Sequence, residues 1–553
     1  MLLSAAIDKK VMGSKELFSG LLINIEANEK VAIIGRNGVG KTTLFRMLSD
    51  VDTDFEGEVT KKRGARIVTT AQEHHDVGEQ TVLDYVLSQL PDYARLKHII
   101  ETYPDTMSDD LKKIETYSNA LEHFSQLGYY TIDTDILLSL DAYQLSEEKA
   151  LAPMKQLSGG QKRFVELVRV EHSDADLALI DEPTNHMDYV AKQAFIDWLK
   201  AVKHSVVVIS HDRDVLQEVD RIIEIKDGRA QVFKGNYKAY LKQNAVSTTT
   251  KMHDFEVTER QIVNLKAKVI QFRRLKEKAR NIDTIKQFKR REMQAAAELA
   301  ELEKIEKPSF WIDQESANKL KKSATDNYEK YKAKNIVIRA NKQNEHTREL
   351  LAIEDLALSY TDSLLFRPIS FRLEHGQRLQ LIGRNGAGKT TLVRAIIDAA
   401  NGKRTATWQA GSIFTDSKLR LSVYEQEANA ELLDMPLNEA IEHIYRSQQL
   451  AITDEKVMQI MSDYLFNPYE DAGLIVKNLS GGQKARLQII KMLANNPNLL
   501  ILDEPTNHLD LPSIEELENT LKTYTGALLY ISHDSYFANN IGGENITLQK
   551  PNA

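Results

Sequence analysis

The 553-residue chain contains no cysteine. Disulfides, thiolate nucleophiles and cysteine-ligated zinc or iron–sulfur centres are therefore excluded. Also missing is any uninterrupted apolar run approaching the roughly 18–20 residues that a membrane-spanning helix needs. The opening MLLSAAIDKK puts two lysines after a short apolar stretch. That order reverses a secretory leader and reads better as a first β-strand. Nor is there an excess of positive charge: 72 Lys and Arg face 80 Asp and Glu, a net −8. A chain coated in nucleic acid is disfavoured, while a local basic patch remains compatible with that sum. These absences fit a cytoplasmic protein. Length excludes a single core, so two or three domains are expected. Hydrophobic residues at 42% and charged residues at 27% suit a globular, largely α/β protein.

What is present is duplication. VAIIGRNGVGKTTL (Val31 to Leu44) recurs as LQLIGRNGAGKTTL (Leu379 to Leu392). QLSGGQKR from Gln156 recurs as NLSGGQKAR from Asn478, and LALIDEPTNHMD ending at Asp188 recurs as LLILDEPTNHLD ending at Asp510. VVVISHD ending at Asp212 returns as LLYISHD ending at Asp534. The blocks keep their order, and Leu157 precedes Asp181 by the same interval as Leu479 precedes Asp503. A repeated domain therefore spans residues 1–240 and again 346–553, separated by 241–345. Short apolar runs such as Ser205 to Ser210 and Asn498 to Leu502 read as buried parallel strands between helices. The fold class is α/β, with loops at the sheet edge carrying the chemistry.

Gly35, Arg36, Asn37, Gly38, Gly40, Lys41, Thr42 and Thr43 follow the first apolar strand and open a helix. Gly383, Arg384, Asn385, Gly386, Gly388, Lys389, Thr390 and Thr391 do so in the second copy. Glycines let backbone N–H groups converge on phosphate oxygens at a helix N-terminus, so ATP is the expected ligand. Lys41 and Lys389 reach the β- and γ-phosphates; Thr42 and Thr390 offer hydroxyls to Mg²⁺. Asp181 and Asp503 end apolar strands as further metal ligands, and Glu182 and Glu504 follow as general bases for water. Gln72 and Gln426 after strand-like segments, and His211 and His533 at strand ends, complete the catalytic candidates. The plain alternatives are a ligand-free glycine turn, a solvated acidic pair and, for the histidines, helix capping by the adjacent serine or aspartate. His74, His75, His172 and His204 have no repeated counterpart and read as ordinary surface residues.

Between the copies, Tyr237 to about Pro308 is glycine-free and strongly helical in pattern. Ile262, Leu265, Val269 and Phe272, then Ile285, Phe288, Ala295, Leu299 and Leu302, keep a three–four spacing, with Glu292 at an intervening core position. Residues 280–284 break the pattern, and Asp283 or Thr284 is expected to cap a returning helix. The segment thus reads as an antiparallel helical hairpin with a narrow apolar seam and a tip near 276–286. Arg273, Arg274, Lys276, Lys278, Arg280, Lys286, Lys289, Arg290 and Arg291 crowd that tip, with Lys266 and Lys268 nearby. On charge alone, RNA phosphate binding and a solvated coiled-coil face stand equal. Trp311, Tyr328 and Tyr331 further on suit packing at the hairpin base better than nucleotide stacking. Residues 87–130 read as a helical arm.

LSGGQ at Leu157–Gln161 and Leu479–Gln483 is the signature of ABC ATPases, and the chain is similar to that family over essentially its full length. DEPTNHMD, DEPTNHLD, two cassettes and a helical linker resemble its ABC-F branch. That resemblance implies two tandem ABC-type P-loop domains in a monomer, paired head to tail, with ATP and Mg²⁺ as cofactors. Ser158, Gly159, Gly160 and Gln161 then complete the second site, while Ser480, Gly481, Gly482 and Gln483 complete the first. Tyr360 takes the adenine-stacking position, where the first copy offers only Val11 or Met12. FVELVRVEHSDAD after the first signature and Met187 depart from the family pattern without removing a catalytic group. The resemblance further implies a cytoplasmic ATPase without a membrane partner that binds ribosomes in its ATP-bound state. Its linker would reach rRNA, P-site tRNA and the peptidyl-transferase centre to regulate translation, with release on hydrolysis. Antibiotic resistance by ribosomal target protection is the sibling reading. A transporter ATPase subunit and a DNA-repair ATPase are alternatives of other classes.

Overall fold

A computed structural model describes residues 1–303, 349–549 and 551, except positions 14, 71–78, 107–109, 186, 361–362, 405–407, 425–429, 465, 480 and 508. The chain divides into two units, one comprising Met1–Tyr237 with Ile336–Ala553 and the other Lys238–Asn335.

In the first unit, the N-terminal cassette begins with β1 (Leu3–Met12), β2 (Lys15–Ile25) and β3 (Lys30–Gly35). It continues with β4 (Glu56–Lys61), β5 (Ile67–Thr69), β6 (Leu177–Asp181), β7 (Ser205–Ile209), β8 (Arg221–Lys226) and β9 (Arg229–Lys234). An antiparallel sheet of order β2-β1-β4 covers a second sheet of order β5-β6-β7-β3-β8-β9. Leu3, Ala5 and Ile7 alternate inward along β1, the period of a strand buried on one face. Every residue of β7 is buried, as expected for a parallel strand covered on both faces. Ile33, Leu179, Val207 and Ile223 join the β1 and β2 side chains in one apolar core.

The C-terminal cassette repeats the plan with β10 (Glu349–Leu358), β11 (Ile369–Glu374), β12 (Arg378–Ile382) and β13 (Trp408–Thr415). β14 (Leu421–Tyr424), β15 (Leu499–Asp503), β16 (Ala527–Ile531) and β17 (Glu544–Thr547) follow. Its sheets run β11-β10-β13 and β14-β15-β16-β12-β17. The order places β3 and β12 centrally, so the loops leaving them emerge beside the ends of β6–β7 and β15–β16. That adjacency follows the rule that ligands bind at the carboxyl ends of such strands.

The second unit contains the intervening hairpin. Its helices span Tyr237–Lys278 and Ile282–Glu303, leaving only 279–281 as the connection. The cap is Asn281, whose Oδ1 accepts the Asp283 N–H at 2.9 Å. This corrects the expectation of Asp283 or Thr284: the turn is tighter than the break in pattern suggests, and Asp283 already lies in the helix. Leu265 and Ala295 are buried, and Ile262, Val269, Phe272, Ile285, Phe288, Leu299 and Leu302 are half-buried, so the seam lies where the spacing puts it. Lys276 forms an ion pair with Glu292 across that seam. It is therefore half-buried and internally engaged, unlike its basic neighbours. Trp311, Tyr328 and Tyr331 lie outside the described residues. Helices Tyr93–Thr106 and Leu111–Gln126 do occupy the 87–130 region. Among the described residues, no helix is long and apolar enough to cross a membrane.

Candidate functional site: two nucleotide sites between paired cassettes

β3 runs into a loop that ends at helix Lys41–Leu48, and β12 into one that ends at helix Lys389–Ala400. Gly40 and Gly388, which precede these helices, are left-handed at φ 98° and 89°. A Cβ on Gly40 would come within 2.9 Å of Phe18 Cζ, and on Gly388 within 3.0 Å of Phe366 Cδ1. Conformation and space both demand glycine there. Lys41 Nζ donates to the Gly35 carbonyl at 2.7 Å, and Lys389 Nζ to the Gly383 carbonyl at 2.6 Å. Burial lowers the pKa of both lysines, with nearby carboxylates opposing the shift.

Across each cradle stands a strand-end carboxylate. Thr42 Oγ1 donates to Asp181 Oδ2 at 2.7 Å, and Thr390 Oγ1 to Asp503 Oδ2 at 3.0 Å. The next residues, Glu182 and Glu504, adopt φ of 46° and 48°, unusual for a side chain of this size. Their N–H groups bond the carbonyls of Ile209 and Ile531 at 2.9 Å, which holds the strained turn and points the carboxylates inward. Burial raises Glu182 to about 8 against the pull of Lys41, and Glu504 to about 7 against Lys389. His533 Nε2 lies 3.2 Å from Glu504 Oε1, and His211 Nε2 lies 3.6 Å from Glu182 Oε1. Burial drives His533 down to about 4 and His211 well below its ordinary value, so both rings are neutral near pH 7.

The two cassettes complete each other. Asp188, fully buried, accepts the N–H of Asn385 in the opposite P-loop at 2.8 Å, and Asp510 accepts that of Asn37 at 3.4 Å. A cleft of about 970 Å³ brings Ser158, Gly160 and Gln161 of the first cassette to Tyr360, Lys389, Thr390, Glu504 and His533 of the second. On the other side, Arg36 acts electrostatically on Arg486 of helix Gly481–Leu493, setting the second signature helix by the first P-loop. Glu182, His211, Glu504 and His533 also border a central cavity of about 230 Å³. Further ties cross the interface: Arg213 Nη1 to Glu518 Oε1 at 2.8 Å, Gln217 Nε2 to Tyr536 OH at 2.8 Å and Ser535 Oγ to Asp214 Oδ1 at 2.6 Å.

Gln72, Gln426, Ser480, His74 and His75 lie outside the described residues. Ser158 and Gln161 reach the cleft but also bond each other as a capping box, Gln161 N–H to Ser158 Oγ at 3.3 Å. Tyr360 is 64% exposed and meets Thr391 Oγ1 through its hydroxyl at 2.9 Å, while Met12 and Val11 are exposed in the first copy. His172 and His204 are not ordinary surface residues. His172 Nε2 contacts Ser139 Oγ at 2.9 Å, His204 packs edge-on to Trp198, and burial lowers both. Sequence reasoning assigned no role to Asp188, Asp510 or Lys192. The aspartates were detectable as the last letter of a repeated block; Lys192 had no such signal, because its counterpart is Ile514.

Reciprocal completion of this kind, each cassette's loop finishing the other's phosphate cradle, defines an ABC-type ATPase with both cassettes in one chain. The family profile described as ABC transporter matches residues 18–185 and 366–507, more than half of the chain. The chain belongs to that family and, within it, to the ABC-F group. It is 27% identical to YfmR of Bacillus subtilis, an uncharacterised ABC transporter ATP-binding protein, over 96% of this chain and 78% of that one. It is 26% identical to the ribosome protection protein VmlR of Bacillus subtilis, over 94% and 82%. ABC transporter F family member 5 of Arabidopsis thaliana is 25% identical, over 94% and 70%. In fold it is similar to archaeal ribosome recycling factor, solved with the ribosomal stalk protein, at TM-score 0.55 and 15% identity, covering 96% of this chain and 85% of that one. Its ABC domains bind ATP and hydrolyse it.

Proposed function

We propose that this ATPase acts on the ribosome, with the hairpin as its RNA-binding element and nucleotide-driven cassette pairing as its control. The observation that carries this reading is the exposed basic cluster of Arg273, Arg274, Lys278, Arg280, Lys286, Lys289, Arg290 and Arg291, opposed on the surface only by Glu277 and Asp283 in that stretch. Phosphate backbones are the ligands such a surface favours, and A-form RNA is recognised through backbone and shape. Likeness to a ribosome protection protein supports the same target.

In each site the P-loop lysine neutralises phosphate charge and the facing glutamate, kept basic only when deprotonated, takes the proton of the attacking water. The neutral histidine donates a ring N–H toward the γ-phosphate. Mg²⁺ fits the donor sets: a threonine hydroxyl and an aspartate converge at 2.7 Å and 3.0 Å, leaving the remaining positions to phosphate and water oxygens. When bound, it would offset the charge on the β- and γ-phosphates. ATP joins the cassettes because its γ-phosphate supplies oxygens to a P-loop and to the opposing signature together; hydrolysis removes that joint.

The test is co-sedimentation with ribosomes. A Glu182→Gln, Glu504→Gln double variant should stay ribosome-bound with ATP and be released without it. Free sedimentation in ATP refutes the gating. Arg273→Ala with Arg274→Ala and Lys278→Ala should weaken binding and flatten its salt dependence while ribosome-free ATPase activity persists. Target protection is the second reading, favoured by the VmlR likeness. Unchanged drug tolerance on expression removes it.

A further inference from the structure

We propose that Lys192 is a positioning residue that acts in trans, holding the catalytic histidine of the second site, with no equivalent at the first site among the described residues. Lys192 is 6% exposed, on helix Tyr189–Ala201 of the first cassette. Its ammonium donates to the backbone carbonyl of His533 in the second cassette at 3.0 Å. Two carboxylates of its own cassette hold it there, Asp212 at 2.8 Å and Asp214 at 2.6 Å. Asp214 in turn accepts the hydroxyl of Ser535 at 2.6 Å, so the loop that follows β16 is gripped on both sides of Asp534.

An ammonium has three protons, and here three oxygens lie within hydrogen-bond reach of it, which explains why a lysine can be buried at this point. The effect on the site is direct. His533 lies 3.2 Å from Glu504, so the position of its backbone sets the approach of the imidazole to the base and to the γ-phosphate. The equivalent distance in the first site is longer, 3.6 Å. Lys192 stands four residues past Asp188; four past Asp510 stands Ile514, which borders the same central cavity and has no proton to donate. The tie to Glu518 starts from Arg213, two residues beyond His211, and does not touch the histidine. Duplicated sites with identical reacting groups are thus supported unequally, and the second is fully formed only when the first cassette is docked.

This inference rests on reading Glu504 and His533 as a hydrolytic pair. Its test uses the full-length chain. Lys192→Met is combined with Glu182→Gln, leaving the second site to hydrolyse ATP, and separately with Glu504→Gln, leaving the first. In the Glu182→Gln background the rate should fall about tenfold or more, mainly through kcat, because the imidazole is displaced from the base and the γ-phosphate while the P-loop contacts that bind ATP remain. In the Glu504→Gln background the fall should be several-fold smaller, because there Lys192 reaches the first site only through the side chain of Asp212, next to His211, and in the Glu182→Gln background Lys192→Arg should recover most of the loss. Equal loss in both backgrounds makes Lys192 a general fastener of the interface and overturns the proposal, as does loss in neither. Vanadate trapping of a photoreactive nucleotide, read after proteolytic separation of the cassettes, gives an independent readout without glutamine variants. Label lost from the C-terminal cassette alone upholds the proposal; loss from both or from neither refutes it. Failure of Glu504→Gln to silence the second site would instead discard the hydrolytic-pair reading.

Discussion

The two signature helices are the same element built two ways. In the first, Glu166 is 1% exposed, ion-paired to Arg169 at 2.8 Å and bonded by the Tyr85 hydroxyl. Arg169 also reaches the Thr69 carbonyl at the end of β5. Glu171 bonds the Tyr143 hydroxyl and is raised by burial to about 7, and Phe164 stacks on Tyr143 at 5.8 Å. The second helix places Gln488, Lys491, Leu493 and Arg486 at these positions, and Arg486 lies over Phe466 at 5.0 Å. The reacting groups are kept alike while their supports have diverged. Chemistry constrains the atoms that meet phosphate, whereas packing admits several solutions of similar volume and satisfied polarity.

The sharpest way to break the comparison is to remove both proposed bases. Glu182→Gln with Glu504→Gln should cut ATP hydrolysis by roughly 10²–10⁴, measured by phosphate release; single variants retaining unequal residual rates would grade the two sites. Next in size, Glu166→Ala leaves the half-buried Arg169 without its carboxylate and the Tyr85 hydroxyl without its acceptor, and should destabilise the chain by about 3 kcal/mol. The matching Gln488→Ala should cost only about 1 kcal/mol. Denaturant midpoints compare them, and equal costs would deny the buried pair its structural role. Stacking of adenine on Tyr360, as the resemblance implies, would contribute about 1–3 kcal/mol, so Tyr360→Ala should raise KM for ATP at the second site. Met12→Ala, on an exposed side chain, should change it by less than about 0.5 kcal/mol.

The smallest effect is that of pH. Glu182 and Glu504 are raised from 4.5 to about 8 and about 7, so the folded nucleotide-free chain keeps protons that the unfolded chain has lost. Stability from these groups is present below the unfolded value and declines as pH rises through the folded values. Hydrolysis moves the opposite way, increasing from pH 6 through 8 as the carboxylates become basic. A flat rate profile would place the base elsewhere.

Much of the fold was legible because each motif is local. A glycine loop between an apolar strand and a helix, or two acids closing a buried strand, states its geometry within a dozen residues. The hairpin seam was legible for the same reason, since helical spacing alone selects the face that Leu265 and Ala295 share. The cap at Asn281 was missed because a three-residue connection and a longer one leave similar breaks in pattern. His172 and His204 were misjudged because burial of an isolated polar residue depends on distant packing. Lys192 gave no sign at all: its partners are a carbonyl 341 residues away and two acids made relevant only by folding.

Amino-acid order alone determined that this protein carries two phosphate cradles, two acid pairs and a charged helical insertion, since those features are set by neighbours along the chain. Only the tertiary structure decided that the cradles are finished by opposite halves and that they are not equals. A hydrogen bond between distant segments exists only if folding brings donor and acceptor within about 3 Å, and at one of the two equivalent places an isoleucine stands where the donor would be.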